Sequence, residues 1–398
     1  MVSGEPSRHS EHFPFLAQLE VLPEWESAAQ RFLEVGGTVM VLGGADTGKS
    51  TFCRYLIYRA YLAGEPVALV DLDLGQSHLG PPTCLGLGLF PPRFPGDDGL
   101  FPEGLYFIGD TSPVGAILEV AVGCRALVDL ANRQGVKRVV VNTSGFIQGP
   151  GAGLLKRAEV ELLNPSLLFA LERHQELKFL LRYLGALPVE EPPILAGQFP
   201  PPRVGGERGE GEPSGFSNES HNSLNSVPTI FSQGQGDHEP SGRPLVRLPV
   251  SSRVLIRSPE DRRRYRKERW RGYFEKAGRL TLPWGSMIWE GLPLRPQEPL
   301  EAGDRPRLGE DLGVPEPPAP LAVDHLSPFF LDWLNLRLAG LLDGLRRTLA
   351  LGLILPEPEG AESLALWTPL PREAVPRVRF LKVGKIRVTP EGRELSHV

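Results

Sequence analysis

Short apolar runs alternate with amphipathic stretches through the first half of this 398-residue chain. Residues 38–42, 67–71, 105–108, 137–143 and 166–171 are brief runs rich in Val, Leu, Ile and Phe, without the in–out alternation of a half-solvated strand. They predict strands buried on both faces. Between them, residues 23–33, 51–60, 115–134, 153–162 and 175–184 carry apolar side chains at three- and four-residue spacing, as helices do when one face meets a core. On 51–60 the stripe is Phe52, Tyr55, Leu56 and Arg59. Strand–helix alternation predicts the α/β class, a parallel sheet with helices on both faces.

The pattern breaks twice. Residues 199–244 are rich in Gly, Ser, Pro, Asn, Glu and Gln, with scattered apolar positions. Such a stretch cannot bury enough surface to order itself and reads as a flexible low-complexity insertion. Residues 294–320 are rich in Pro and Glu and read as a linker. The chain then divides into a lead-in (1–36), an α/β domain (37–198) that resumes after the insertion (245–293), and a C-terminal domain (321–398). In the last, a helix is expected over 328–349 and strands over 352–355, 364–367 and 378–388, giving a small α+β or mostly β fold.

One loop adds specific chemistry. Gly43-Gly44-Ala45-Asp46-Thr47-Gly48-Lys49-Ser50 follows the first strand and opens the next helix, which is the context that gives G-x-x-x-x-G-K-[ST] its meaning. Glycines let backbone N–H groups turn inward, and the helix N-terminus adds partial positive charge, so the loop cradles a polyphosphate. Lys49 then meets the β- and γ-phosphates and Ser50 reaches Mg²⁺. With Thr51, the run is the expected ATP-binding segment, and the sheet becomes one of the P-loop NTPase type.

Other segments fall at carboxyl ends of strands, where ligands gather in open α/β sheets. Val70-Asp71-Leu72-Asp73-Leu74-Gly75-Gln76 brings two carboxylates to a strand tip. One suits a place near Mg²⁺ and the other can accept a proton from an attacking hydroxyl, with Gln76 beside them to orient the nucleophile or nucleotide. A plain strand-capping role for Asp71 is the alternative. Thr143, Ser144, Gly145 and Phe146 offer small hydroxyls for a phosphate and a ring to stack on a base. Thr111 and Ser112 form another turn on that edge.

Net charge is −5, yet residues 253–271 hold nine basic residues against three acids. Ser258-Pro259-Glu260-Asp261 is a helix start, with a hydroxyl cap, proline at the first position and acids in the first turn. Arg262 and Arg266 lie one turn apart on one face. An acidic chain that gathers cations on one helix predicts phosphate contact there, and arginines on a closing helix suit charge developing on a transferred phosphoryl group. Three cysteines without C-x-x-C spacing and no H-x-x-x-H pair indicate neither a disulfide framework nor a zinc site. No apolar run reaches bilayer-spanning length and no signal-peptide pattern opens the chain, so a soluble cytoplasmic protein without membrane partners is expected.

In this order the motifs resemble the polynucleotide 5′-hydroxyl kinases related to the kinase subunit of the pre-mRNA cleavage factor and to the pre-rRNA-processing kinases. The chain looks like a minimal prokaryotic-type member. The family's G-x-x-D-x-G-K-S-T loop is similar to Gly43–Thr51, and its D/E-x-D-x-G-Q strand end to Asp71–Gln76. Its N-T-x-G-W clasp resembles Asn142-Thr143-Ser144-Gly145-Phe146, and its lid pair R-x-x-x-R resembles Arg262 and Arg266. The likeness covers roughly residues 20–200 and 245–290. It implies Mg²⁺-dependent transfer of the ATP γ-phosphate to the 5′-hydroxyl end of RNA or DNA. Lys49 and the lid arginines Arg262 and Arg266 would act on the phosphates, Asp73 would be general base, and Ser50, Asp71 and Asp73 would serve the metal. Gln76, Thr111, Ser112 and the segment Thr143–Phe146 would face the nucleic acid. Phe146 stands where the family has tryptophan, so stacking should be weaker, and the N-terminal β-domain of eukaryotic members is not matched. A non-catalytic ATP-binding switch in RNA processing is the alternative. A small-molecule kinase fits poorly with an extended cationic face. No motif decides between RNA and DNA.

Overall fold

The computed structural model describes residues 19–90, 102–188, 242–292, 328–355 and 362–395. The predicted linker at 294–320, and the predicted insertion up to residue 241, lie outside them. The described residues up to Pro188 and from Arg243 onward form one compact unit.

The first sheet has eight strands: β1 (Thr38–Gly43), β2 (Val67–Asp71), β3 (Cys84–Phe90), β4 (Gly104–Phe107), β5 (Arg138–Asn142), β6 (Leu167–Glu172), β7 (Ala186–Pro188) and β8 (Arg243–Pro249). Their order is β4-β3-β2-β5-β1-β6-β8-β7. Every pairing from β2 across to β7 is parallel. Along the other edge, β3 runs antiparallel to β2 and β4 to β3, a departure from the all-parallel expectation. Sequence pattern missed β3 because Gly86 and Gly88 interrupt its apolar run. Two reversals return β4 to the direction of β2, so its carboxyl end still lies on the P-loop edge.

Central strands are buried except at Thr38 and Arg138, which start β1 and β5, and this explains their continuous apolar runs. On one face, helices α3 (Ile117–Arg133) and α4 (Pro150–Leu163) bring Val120, Cys124, Leu127, Leu155, Val160 and Leu163 into one core with Met40, Val70 and Val141. On the other, α1 (Pro23–Val35) covers α2 (Lys49–Leu62). Trp25 meets Phe52 edge-on at 5.0 Å between ring centroids, and Phe52 meets Phe169 of β6 at 5.2 Å. Burying rings like these is worth roughly 2–3 kcal/mol each. A short helix α5 (Lys178–Tyr183) precedes β7.

Helix α6 (Pro259–Phe274) carries the basic cluster. After it, β9 (Gly278–Pro283) and β10 (Ile288–Glu290) enter a second sheet with β11 (Arg337–Leu342), β12 (Thr348–Leu355), β13 (Ser363–Thr368), β14 (Phe380–Val388) and β15 (Glu394–Leu395), ordered β10-β14-β11-β12-β13-β9 with β15 on β14. This corrects the boundary expected near residue 293, because β9 pairs with β13 and β10 with β14. The helix predicted over 328–349 is also corrected. Only α7 (Pro328–Leu334) is helical, Leu336 turns through a positive φ of 59°, and β11 follows. All six β11 residues are buried, so the run shows no alternation and imitates a buried helix.

The two sheets share a core in which Phe107 and Cys84 pack with Trp270, Tyr273 and Phe274 of α6 and with Leu338, Leu351 and Leu353. Among the described residues no helix is long and apolar enough to cross a membrane.

Candidate active site

Helix α2 begins directly from the glycine loop. Gly48 holds φ at +84°, a left-handed turn that a Cβ would strain, and no side chain caps the helix start. Its first N–H groups are left to face the cleft. Asp46 also has positive φ, 53°, and Thr47 Oγ1 donates to Gly44 O at 3.0 Å. The buried Lys49 ammonium donates to the same carbonyl. Burial above all pulls the Lys49 pKa down to about 8, opposed by Asp73 and helped by the nearby positive Lys156.

Sheet register sets the acidic tip beside this loop. Asn142 of β5 pairs with Val41 of β1 on one side and Asp71 of β2 on the other. Its Nδ2 donates to both Ser50 Oγ, at 3.0 Å, and Asp71 Oδ1, at 2.9 Å. Asp71 is fully buried and also accepts from the N–H groups of Asp73 (3.2 Å) and His78 (2.7 Å). Burial, then Asp73, raises its pKa to about 6 against these hydrogen bonds. Asp73 is different. Its Oδ1 accepts from Gly75 N at 3.1 Å and Gln76 N at 3.0 Å, and the residue lines the open cleft.

That cleft has a volume of about 1070 Å³. Residues 45–51, Asp73, Gln76, Thr111, Ser112, Ser144, Gly145, Phe146, Arg262 and Arg266 all line it, so most of the sequence-predicted site comes together. Gly43 instead closes β1, with Gly44 just after it, and Asp71 sits behind the cleft wall. Thr143 is a correction: fully buried, its hydroxyl donates to Val41 O at 2.7 Å and so braces β1 rather than facing substrate. Gly145 lies against the P-loop, where a Cβ would come within 2.8 Å of Ala45 N, so only glycine allows this approach.

The basic helix closes over the same edge. Its capping box is complete, with Ser258 Oγ accepting from Asp261 N at 3.1 Å and Asp261 Oδ2 from Ser258 N at 3.2 Å. Such a cap contributes about 1 kcal/mol to the helix start. Asp46 Oδ2 accepts from Arg262 Nη2 at 2.5 Å and from Arg257 N at 3.1 Å, while the Arg257 guanidinium reaches Gln76 Oε1. Tyr265 OH donates to Ser77 O at 2.8 Å, and Arg269 Nη2 to Gly80 O at 2.7 Å. Arg266 turns elsewhere: its Nη2 donates to Glu394 Oε2 of β15 at 2.8 Å. Arg263, Lys267 and Arg271 are exposed outside the cleft, whereas Arg264, also exposed, lines it.

Sequence reasoning missed several residues of this site. Asn142 stood in the clasp-like run without a role of its own, which an amide closing a strand level with the two acids could have suggested. The loop 251–256 after β8 lines the cleft, with Val254 3.3 Å from where a Gly48 Cβ would lie, and carried no motif. Lys156 and Glu159 were hidden as ordinary helix charges. Burial, then Arg54, holds the His78 imidazole down to about 4, so it is neutral at physiological pH.

Residues 43–203 match the family model for the mRNA cleavage and polyadenylation factor CLP1 P-loop. Polyribonucleotide 5′-hydroxyl-kinase of Pyrococcus horikoshii is 26% identical over 92% of this chain and 89% of its own. Its counterpart from Pyrococcus furiosus is 27% identical over 95% of each. Chicken polyribonucleotide 5′-hydroxyl-kinase Clp1 is 31% identical over 34% of each chain. Among solved structures, the Clp1p chain of a Clp1p–Pcf11p complex superposes with a TM-score of 0.53 at 11% identity, covering 91% of this chain and 78% of that one, a likeness of fold.

Proposed function

We propose, from the match of residues 43–203 to the CLP1 P-loop family model and the likeness to archaeal polyribonucleotide 5′-hydroxyl-kinases, that the chain is an ATP-dependent kinase of the 5′-hydroxyl end of a polynucleotide, RNA foremost. The observation that carries this reading is the meeting of three chemistries in one cleft. A buried lysine in a glycine loop, a cleft-facing carboxylate two residues past a strand tip, and a guanidinium docked on the loop itself surround one space. The named activity of the archaeal relatives, matched over nearly their whole length, supports RNA as acceptor.

In this reading Lys49 leaves the Gly44 carbonyl for the β- and γ-phosphates. Asp73 accepts the proton of the 5′-hydroxyl as its oxygen bonds the γ-phosphorus, and the bond to the β-phosphate breaks with ADP leaving. Arg262 exchanges Asp46 for the transferring phosphoryl group. Arg266 joins it only by leaving Glu394. Phe146 stacks on the terminal base.

A Mg²⁺ ion fits the residues present. Ser50 Oγ, the Asp71 carboxylate and the Asn142 side-chain carbonyl, buried and without a partner, make a hard-oxygen set. Bound there, the ion would neutralise charge on the phosphates. Asp71, fully buried and joined through Asn142 to Ser50, suits this role better than that of base.

Incubation with γ-labelled ATP and competing 5′-hydroxyl RNA and DNA oligonucleotides tests the proposal. Label is expected on RNA. Asp73→Ala should remove transfer and retain ATP binding, whereas Lys49→Ala weakens both. Full transfer by Asp73→Ala would remove the assigned base, and ATP binding without any transfer would favour the switch reading.

A further inference from the structure

Two opposite charges lie wholly inside helix α4. Lys156 and Glu159 side chains are both 0% exposed, and Lys156 Nζ stands 3.0 Å from Glu159 Oε2. They interrupt an otherwise apolar face made by Leu155, Val160 and Leu163. Burying an ion pair is costly, and apolar side chains of similar volume hold a helix at least as well. Packing alone therefore gives no reason for them.

The ammonium has a third partner. Lys156 Nζ also lies 3.1 Å from Ser144 Oγ, and Ser144 lines the cleft. An ammonium has no lone pair, so the serine oxygen must be the acceptor in this bond. The serine's own proton must then point elsewhere, and no described residue accepts it. Next to it, Gly145 rests on Ala45 and Gly44, beside the carbonyl held by Lys49. This is the end of the P-loop nearest the Lys49 ammonium, where a terminal phosphate sits.

We infer that Lys156, held by Glu159, is a positioning residue that fixes Ser144 as a hydroxyl donor to the terminal phosphate of a bound nucleoside triphosphate. The inference rests on the phosphate-binding reading of the cleft and deepens it: the loop recognises a triphosphate partly through a buried charge on the neighbouring helix. An unanchored serine could present lone pairs to the phosphate and repel it. Accepting from the ammonium ties up one lone pair and turns the serine's proton away from Lys156, free to face the cleft.

Dissociation constants for ADP and for a non-hydrolysable ATP analogue test this on the full chain. The variants are Ser144→Ala, the charge-free pair Lys156→Met with Glu159→Leu, and all three changes together. Ser144→Ala should lower analogue affinity about 10-fold, within the range of a hydrogen bond to a charged group, and leave ADP affinity unchanged. The charge-free pair should lose the same discrimination, and the triple variant no more than either, because both act through one bond. Transfer to 5′-hydroxyl RNA should fall in parallel.

The inference fails if the folded charge-free pair keeps wild-type preference for the triphosphate, or if its loss adds in full to that of Ser144→Ala. Should thermal melting show the pair variant unfolded, Ser144→Ala decides alone, and unchanged triphosphate preference overturns the idea. Loss of that preference in a chain whose wild type never phosphorylates RNA would sink the kinase proposal and leave this inference standing.

Discussion

Lys49 is poised between protonation states before any ligand arrives. Its folded pKa of about 8 lies below its ordinary value of 10.5, chiefly through burial. Between those limits the unfolded chain holds the extra proton, so the nucleotide-free protein gains stability as pH rises through that window. Below about pH 8 the whole cost of burying the charge is present. Phosphates arriving beside the ammonium favour its charged form. Nucleotide binding at pH 8 should therefore take up roughly half a proton, seen by calorimetry in buffers of differing ionisation enthalpy. Lys49→Met should bind weakly with no uptake, and an unchanged uptake would place the proton on another group. Residue identities at the site were mostly legible, because the P-loop and the acidic tip are defined by spacing. The division between Asp71 and Asp73 was not. Both stand at one strand tip in the sequence, and only pairing of β2 with β5 shows that Asn142 engages the first and leaves the second in the cleft.

Helix α6 presents Arg262 and Arg266 to different partners. Arg262 is held by the P-loop Asp46, Arg266 by Glu394 of β15. If Arg266 acts on the phosphoryl group, Arg266→Ala should lose at least 10-fold in kcat, whereas Glu394→Gln should keep or raise it by freeing the guanidinium. A purely structural pair would instead lower the melting temperature equally in both variants and leave kcat alone. Steady-state kinetics and melting on the two proteins separate these outcomes. The helix itself was readable from Ser258 onward, because a hydroxyl, a proline and two acids in succession have one common local solution. Strands β11 and β3 were not. A fully buried strand loses the alternation that identifies strands, and glycines erase what pattern β3 had. Arg266 lay on the expected face of the expected helix, yet its partner is 128 residues away, beyond the reach of any local signal.

Across the whole molecule, the second sheet braces one edge of the cleft without lining it. Lys385 N donates to Gly109 O at 2.8 Å, Phe107 N donates to Thr348 Oγ1 at 2.9 Å, and Lys382 Nζ donates to Phe107 O at 3.2 Å. These bonds hold the end of β4, from which the Thr111–Ser112 turn projects. A Cβ on Gly384 would lie 2.9 Å from Gly109 O and 3.0 Å from Phe107 Cζ, with backbone on one side and a packed ring on the other. Gly384→Ala should cost on the order of 1–3 kcal/mol and raise the KM for RNA more than that for ATP. Gly344→Ala, whose nearest neighbour is 3.8 Å away, should do neither. Equal behaviour of the two variants in melting and kinetics would detach the second sheet from the cleft. Pairing of β9 and β10 across to β13 and β14 explains why composition alone misplaced the division near residue 293: proline-rich stretches mark where a chain leaves a sheet, not which sheet it rejoins.

The Arg266–Glu394 pair also makes β15 a tether. Anything that grips this strand from outside, whether an antibody, a fused tag or a binding protein, would pull on the arginine helix through two hydrogen bonds. Catalytic tempo could thus be set through β15, with the nucleotide loop untouched.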